Sequence, residues 1–192
     1  TGSQFSCAIL VDKTIKCWGI SNNGALGSDY KSSTYKATPV TLTGYTDVEE
    51  IGLHYAGGCA RLTDGSVKCW NNYHAITTGT QNIGGQAKKL EIGEYATACV
   101  ILTDNKLKCW GKNNNGQLGV GSNTGQNSPT EISFTGRYAV DVSCGESHCC
   151  VVLDDGNVRC SGKGHSGKTG YGNTDNRNTY GPRSEEHTSE LQ

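Results

Sequence analysis

The sequence predicts an all-β protein assembled from repeated antiparallel units, and three observations lead to that prediction. A 21-residue stretch that begins at Cys99 has a near copy at Cys7 and weaker copies at Cys59 and Cys150. The 192 residues include 27 glycines and only three prolines, which is typical of many tight turns between short strands. No long run has apolar residues at helical spacing, so we expect almost no helix.

The repeats divide the chain into four units, centred on residues 7–27, 59–79, 99–119 and 150–170. Their first cysteines lie about 52, 40 and 51 residues apart, which is the period of blade-forming or solenoid units. Short alternating segments at residues 48–51, 89–92 and 140–143 lie between the units. Each segment predicts one more strand.

Each unit begins with a hairpin whose register follows from the sequence. If Cys7 faces Cys17, then Ile9 faces Ile15, and residues 11–13 form a three-residue loop. The last residue of such a loop has left-handed backbone geometry, which favours Gly or Asn. The four units carry Lys13, Gly65, Asn105 and Gly156 at that position. Only Lys13 departs from the preference.

The same register places the two cysteines of each hairpin opposite each other, with Cβ atoms about 4.5–5.5 Å apart, and so predicts disulfide bonds. Buried free thiols are the alternative. Cys144 and Cys149 predict a local fifth pair, although the adjacent Cys150 leaves other pairings open. Zinc is disfavoured because structural zinc sites use closer cysteine pairs. The predicted disulfides are Cys7–Cys17, Cys59–Cys69, Cys99–Cys109, Cys150–Cys160 and Cys144–Cys149.

A segment rich in tryptophan and glycine follows each hairpin. Residues 18–27 have the sequence WGISNNGALG, and residues 110–119 have the sequence WGKNNNGQLG. In three units a proline follows 19 to 21 residues after the tryptophan or its equivalent. Here the chain resembles the regulator of chromosome condensation repeat family, in a disulfide-rich, secreted-type form. The second unit departs from the family pattern after Trp70, and the fourth has Ser161 in place of Trp.

The resemblance covers residues 1–182 and implies a β-propeller. The pattern is cut at both ends, so we expect a partial β-propeller of about four repeated antiparallel blades, from a longer protein. Residues 183–192, RSEEHTSELQ, fit no part of the repeat and are similar to the translation of a sequencing-library adapter. A natural polar tail is the alternative. We leave this tail out of the fold prediction.

The sequence offers no combination of residues typical of catalysis, so we expect no enzyme, no cofactor and no bound metal. The glycine-rich residues 162–168 match an ordinary turn of the repeat better than a phosphate cradle. Cys144, His148 and Cys149 could form a metal cluster, but a disulfide fits this context better. An aspartate recurs in every hairpin loop, where it favours turn geometry. These aspartates are Asp12, Asp64, Asp104 and Asp155.

Charge and hydropathy exclude two classes of partner. The formal net charge of -1, without a basic stripe, argues against a nucleic acid. The longest apolar runs have four or five residues, which is too short for a membrane span.

The cysteine pairs on a repeat fold predict a non-catalytic scaffold that binds another protein in an oxidising compartment, outside the cell or in the lumen of the secretory pathway. The candidate contact surface is formed by the loops at residues 28–38, 120–128 and 171–181, which vary most between units. Solvated loops without a partner are the alternative. The candidate contact residues are Tyr30, Tyr35, Tyr171, Arg177 and Tyr180.

The sequence leaves two other functions open. The founding member of the family is a guanine-nucleotide exchange factor for a small nuclear GTPase, and the resemblance allows that activity. Oxidised cysteine pairs argue against it, because nuclear thiols are kept reduced. Inhibition of a hydrolase, as by the related β-lactamase inhibitory protein, is neither supported nor excluded.

Overall fold

A computed structural model describes residues 2–21, 24–27, 34–71 and 76–182. Helix in these residues is limited to 3-10 turns, of which His165–Gly167 is one, in agreement with the prediction of almost no helix. It is far too short and polar to cross a bilayer. The strands are β1 (Phe5–Ile9), β2 (Ile15–Ser21), β3 (Thr34–Thr41), β4 (Val48–His54), β5 (Gly57–Leu62), β6 (Val67–Trp70), β7 (Gly79–Thr80), β8 (Ala87–Gly93), β9 (Thr97–Leu102), β10 (Leu107–Gly111), β11 (Gln126–Ile132), β12 (Ala139–Cys144), β13 (His148–Leu153) and β14 (Val158–Gly162).

The described strands form four antiparallel sheets, which we call blades 1 to 4 in chain order. Blades 2 and 3 have four strands each, in the orders β4-β5-β6-β7 and β8-β9-β10-β11. Blade 1 is β1-β2-β3, and blade 4 is β12-β13-β14. Strands β4, β8 and β12 contact one another from blade to blade, so they lie innermost. This arrangement is the predicted partial propeller.

The hairpins have the predicted register. Cys7 pairs with Cys17 and Ile9 with Ile15. The amide of Leu10 donates to the carbonyl of Thr14 at 2.9 Å and closes the three-residue loop. The last loop residue has a positive φ in all four hairpins: 63° at Lys13, 78° at Gly65, 68° at Asn105 and 82° at Gly156.

Every cysteine in the chain is paired in the structure. In each hairpin, the hydrogen-bonded pair that closes the loop lies three positions from the cysteine pair. Hydrogen-bonded and non-hydrogen-bonded pairs alternate along an antiparallel ladder, so the two cysteines form a non-hydrogen-bonded pair. Strands approach most closely at such sites, and the Cα atoms of Cys7 and Cys17 are 4.1 Å apart. The disulfides are Cys7–Cys17, Cys59–Cys69, Cys99–Cys109, Cys144–Cys149 and Cys150–Cys160, the five pairs that the spacing predicts.

The recurring aspartates are turn residues. A carboxylate oxygen of Asp64 accepts the amide of Ser66 at 2.8 Å, and that of Asp155 accepts the amide of Asn157 at 3.0 Å. The loops of Asp12 and Asp104 are built in the same way. Hydrogen bonds lower the pKa of all four carboxyl groups. The side chains of Thr14 and Ser66 have the largest effect on Asp12 and Asp64, ahead of the backbone amides, whereas the backbone amides of Lys106 and Asn157 have the largest effect on Asp104 and Asp155.

Packing between neighbouring blades forms the core. The three buried apolar clusters each join residues of two adjacent blades. The inner strands approach so closely that Gly52 lies against Ile92 of the next blade, with no room for a Cβ atom. Trp110 and Leu118 are fully buried. Because each blade packs only on its neighbours, the fold is held together one junction at a time.

Inner-strand carboxylates add hydrogen bonds across two junctions. Glu50 of blade 2 accepts the backbone amide of Leu90 of blade 3 at 2.9 Å. Glu91 of blade 3 accepts the backbone amide of Cys144 of blade 4 at 3.1 Å. Each carboxylate thus accepts a hydrogen bond from a backbone amide on the innermost strand of the next blade, along the edge where that strand has no neighbouring strand.

Candidate functional site

The strand order places the described variable loops of blades 3 and 4 on one face. A hairpin loop lies at one end of each blade, so the connections on either side of the hairpin emerge at the other end. These are residues 112–125 in blade 3 and 163–181 after β14, with the short inner turns at 55–56, 94–96 and 145–147. We call this the loop face.

The outer loops of blades 3 and 4 form one continuous surface. Val120 pairs with Thr179 in an isolated bridge, and the amide of Gly121 donates to the carbonyl of Asn178 at 2.7 Å. The buried side chain of Asn113 holds the first of these loops from below, since its Nδ2 donates to the carbonyls of Ser122 at 2.8 Å and Thr124 at 3.0 Å. Two of the three predicted loops are therefore contiguous.

Tyr35 is the most exposed of the predicted contact residues in the described part of the chain. It lies on β3 opposite Ile20, and 73% of its surface is exposed. Ile20 is also exposed, so the two side chains form a small apolar area at the blade 1 end of the loop face. Tyr30 lies outside the described residues, as do residues 183–192 of the predicted adapter-derived tail.

Tyr171 and Arg177 form a stacked pair. The Tyr171 ring is 6% exposed, and its hydroxyl accepts the amide of Cys160 at 3.2 Å and donates to the carbonyl of Gly181 at 2.7 Å. The guanidinium carbon of Arg177 lies 3.8 Å from the ring centroid. Tyr171 therefore fixes the loop from beneath, and the partly exposed Arg177 covers it.

Tyr180 is also buried, at the junction between blades 3 and 4. The equivalent junction between blades 1 and 2 shows what occupies this position in a unit that keeps its tryptophan. There the indole Nε1 of Trp70 donates to the carbonyl of Ala25 in blade 1 at 3.0 Å. Its ring meets Tyr45 edge to face, with centroids 5.4 Å apart. The ammonium of Lys68 lies 4.8 Å from the centroid of Tyr45.

The junction between blades 3 and 4 has the same arrangement with a different aromatic residue. Ser161, at the tryptophan position, donates to the carbonyl of Gln117 at 2.9 Å. Tyr180 meets Phe134 edge to face at 5.9 Å, and the guanidinium carbon of Arg159 lies 5.9 Å from the Phe134 centroid. The equivalent pairs are Ala25 and Gln117, Tyr45 and Phe134, and Lys68 and Arg159.

Tyr180 thus takes the place of the tryptophan ring that blade 4 lacks. Sequence reasoning assigned it to the contact surface because it lies in a variable loop, whereas the structure gives it and Tyr171 supporting positions. The signal that could have found this role is Ser161 itself, because a missing core tryptophan leaves a space that another large side chain has to fill.

A pocket of about 390 Å³ opens at the inner end of the loop face. Its lining includes Ile92 and Cys144 from the inner strands and the exposed carboxylates of Glu94 and Glu146. Farther out, Lys112 and Lys163 occupy the same repeat position, immediately after the glycine that follows Trp110 or Ser161. The loop face therefore carries acidic groups near the axis and basic groups around them.

His148 lies at the edge of this pocket, and its ring covers Gly145. Burial lowers the pKa of its imidazole; the ammonium of Lys168 lowers it further, and Glu146 opposes the shift. The carboxyl groups of the described residues whose pKa departs from the ordinary value are all shifted downward, by turn hydrogen bonds or by ion pairs such as Asp141 with Lys89. These carboxylates are held ionised by structural contacts.

Comparison with known proteins agrees with this architecture. A sequence profile of the regulator of chromosome condensation (RCC1) repeat matches residues 104–152, and a second profile of the same repeat matches residues 88–117 and 139–168. Residues 88–168 match the regulator of chromosome condensation repeat. Together the matches span residues 88–168, which hold the strands of blades 3 and 4.

Two relatives extend the similarity. The ultraviolet-B receptor of Arabidopsis thaliana is 27% identical over 190 residues, which is 92% of this chain and 43% of the receptor. The X-linked retinitis pigmentosa GTPase regulator of Homo sapiens is 38% identical over 69 residues, which is 35% of this chain and 7% of the regulator. The chain thus spans less than half the length of these curated relatives.

Solved structures give the same fold. Yeast RCC1 (Prp20), in its complex with Kap60, matches 97% of this chain and 48% of its own length, with a TM-score of 0.80 at 15% identity. The ectodomain of the Arabidopsis thaliana receptor kinase ACR4 matches 84% of this chain and 48% of its own length, with a TM-score of 0.53 at 18% identity. At these identities the likeness concerns the fold alone.

Proposed function

We propose that this chain is part of a disulfide-stapled propeller that acts as a non-catalytic scaffold for binding another protein in an oxidising compartment. RCC1-like propellers commonly mediate protein interactions or nucleotide exchange. The observation that carries the proposal is the pairing of all ten cysteines in five disulfides. Disulfides persist outside the cell and in the secretory pathway and are rare in reducing compartments.

The loop face supports the binding part of the proposal. Its outer loops in blades 3 and 4 are joined, and residues 172–176 and 178–179 are exposed above the buried Tyr171 and Tyr180. A rigid frame beneath exposed loops lowers the entropy lost when a partner binds. Acidic groups at the centre and lysines around them favour a partner with the opposite arrangement of charge.

The compartment is tested by the mass of the protein isolated from its natural source. Reduction adds about two mass units for each disulfide, because two hydrogens are gained. We expect the gain that corresponds to all five pairs. A natural protein that is already fully reduced would contradict the oxidising compartment.

The binding surface is tested by affinity capture from the secreted fraction of the source organism. The bait is the chain itself, compared with a variant that carries Tyr35→Ala, Asp175→Ala and Asn178→Ala on the loop face. The matched control carries Val11→Ala and Asp47→Ala on the hairpin face. We expect the loop-face variant alone to lose the captured protein, and equal capture by all three baits would remove the loop face as the binding surface.

Guanine-nucleotide exchange for a small GTPase is the second candidate. The observation that favours it is the 38% identity with a protein named as a GTPase regulator. Nucleotide-release kinetics with small GTPases decide the matter, since a scaffold leaves the release rate unchanged. Release accelerated by the wild-type chain, and not by the loop-face variant, would give this function first place.

A further inference from the structure

Two disulfides from neighbouring blades are in contact at the junction of blades 3 and 4. The Sγ atoms of Cys99, Cys144 and Cys149 lie within 4.8 Å of one another, and those of Cys99 and Cys144 are 3.9 Å apart. The sulfur atom of Cys109 is bonded to that of Cys99. Three sulfur atoms thus meet where two blades pack together, and a fourth is attached to one of them.

The surroundings separate these four residues from the other cysteines. Cys99, Cys109 and Cys149 are fully buried in the apolar cluster between blades 3 and 4, and Cys144 packs against that cluster. Among the described residues, no second group of three His, Cys, Asp or Glu side chains comes together in this way. The hairpin pairs of blades 1 and 2 therefore offer two sulfur atoms each.

The spacing fits a tetrahedral metal ion. Zinc–sulfur bonds of about 2.3 Å at tetrahedral angles place neighbouring sulfur atoms about 3.8 Å apart. The contact between Cys99 and Cys144 at 3.9 Å already has that length, and it is the contact that joins the two blades. Within each reduced pair, rotation about the Cα–Cβ bond separates the sulfur atoms.

We propose that, when these two disulfides are reduced, Cys99, Cys109, Cys144 and Cys149 form a tetrathiolate site for Zn²⁺ that links blade 3 to blade 4. Two equivalents of a dithiol reductant each transfer two electrons and two protons to one disulfide and become cyclic disulfides. The four thiols then bind one Zn²⁺ and release four protons. Cys144 is partly exposed and lines the 390 Å³ pocket, which provides a path for the reductant and the ion.

The site goes beyond the proposed function, because it concerns the protein in a reducing environment. Under oxidising conditions the four cysteines form one disulfide within blade 3 and one within blade 4. After reduction the same four residues hold two blades to each other. The zinc form therefore replaces two links within blades by one link between them.

The test is a Co²⁺ titration of the chain reduced with a phosphine, without oxygen. We expect one Co²⁺ per chain, with the visible absorption of tetrahedral thiolate coordination, displaced by Zn²⁺. Cys144→Ser lowers the affinity by more than about 10-fold, the loss that follows even from changing a residue that only supports a ligand. The matched control, Cys7→Ser with Cys17→Ser, binds as the wild type does.

Thermal unfolding of the reduced chain gives a second measure. Zn²⁺ raises the Tm of the wild type and of the control, and not that of Cys144→Ser, because only an ion bound to the folded state stabilises it. The proposal is overturned by the absence of a tetrahedral Co²⁺ spectrum, or by equal effects in the two variants. A reduced chain that stays unfolded in the presence of Zn²⁺ overturns it as well.

Discussion

At the scale of single residues, Lys13 is the clearest conflict between a side chain and its backbone. It has a φ of 63° at a position where the other hairpins carry glycine or asparagine. A left-handed conformation costs an ordinary residue roughly 1–2 kcal/mol, whereas Asn visits it routinely. The exposed ion pair between Lys13 and Glu49, with its atoms 3.4 Å apart, offsets only part of this cost.

We therefore expect Lys13→Asn to raise the free energy of unfolding by about 0.5 kcal/mol. Gly156→Ala is the matched control in the opposite direction, since Gly156 has a φ of 82° and open space around it. It should lower stability by about 1 kcal/mol through the backbone alone. Urea denaturation measures both, and destabilisation by Lys13→Asn would mean that the ion pair outweighs the strain.

His148 predicts a pH dependence of stability. Its folded pKa is lowered below the ordinary 6.5, first by burial, so the unfolded chain binds the proton more readily. The contribution of His148 to the free energy of unfolding is fully present above the unfolded pKa. It is lost as the pH falls from 6.5 through the lower pKa of the folded state. We expect His148→Gln to flatten the pH profile of the unfolding free energy in this window, relative to the wild type. Identical profiles for His148→Gln and the wild type would contradict this.

At the scale of structural elements, a short loop can replace a missing part of the core. Blade 4 lacks the repeat tryptophan, and Ser161 supplies the hydrogen bond while Tyr180 supplies the ring. The two residues come from different parts of the unit, and both contact Gln117 of the preceding blade. The loop is therefore tied to the junction between blades.

We expect Tyr180→Ala to lower the free energy of unfolding by about 3–5 kcal/mol, the usual result of removing a buried aromatic ring. Tyr180→Phe should cost less than about 1.5 kcal/mol, because a neutral hydrogen bond contributes no more than that. The hydroxyl of Tyr180 also lies 3.4 Å from the Gln117 carbonyl, which is a long contact. Urea denaturation provides the measurement, with the exposed Tyr35→Ala as control. Equal costs for Tyr180→Ala and Tyr35→Ala would show that the ring is not part of the junction.

At the scale of the whole molecule, stability depends on contacts between neighbouring blades. Glu91 accepts the amide of Cys144 at 3.1 Å and the hydroxyl of Ser143 at 3.4 Å, both in the next blade. Proteins whose repeats contact only their neighbours unfold as one unit only while the interfaces are strong. A carboxylate at an interface can therefore influence cooperativity as well as stability.

Glu91→Ala should lower the free energy of unfolding by about 1–3 kcal/mol, because the amide of Cys144 loses its acceptor. Glu91→Gln keeps an acceptor oxygen and should cost less. We expect the urea transition of Glu91→Ala to broaden, with a smaller m-value, as blade 4 separates before the others. An unchanged m-value with equal costs for both variants would mean that the contact does not couple the blades.

The sequence by itself determined the local structure of each blade. Hairpin register, left-handed loop ends and cysteine pairing depend on residues about ten positions apart, and the period-two alternation of a strand fixes them locally. Only the tertiary structure decided which loop residues are exposed and which cysteines meet. Tyr180 contacts a residue 63 positions away, and Cys99 meets Cys144 across 45 positions. Such contacts depend on how neighbouring blades pack together, and a local sequence pattern does not indicate that packing.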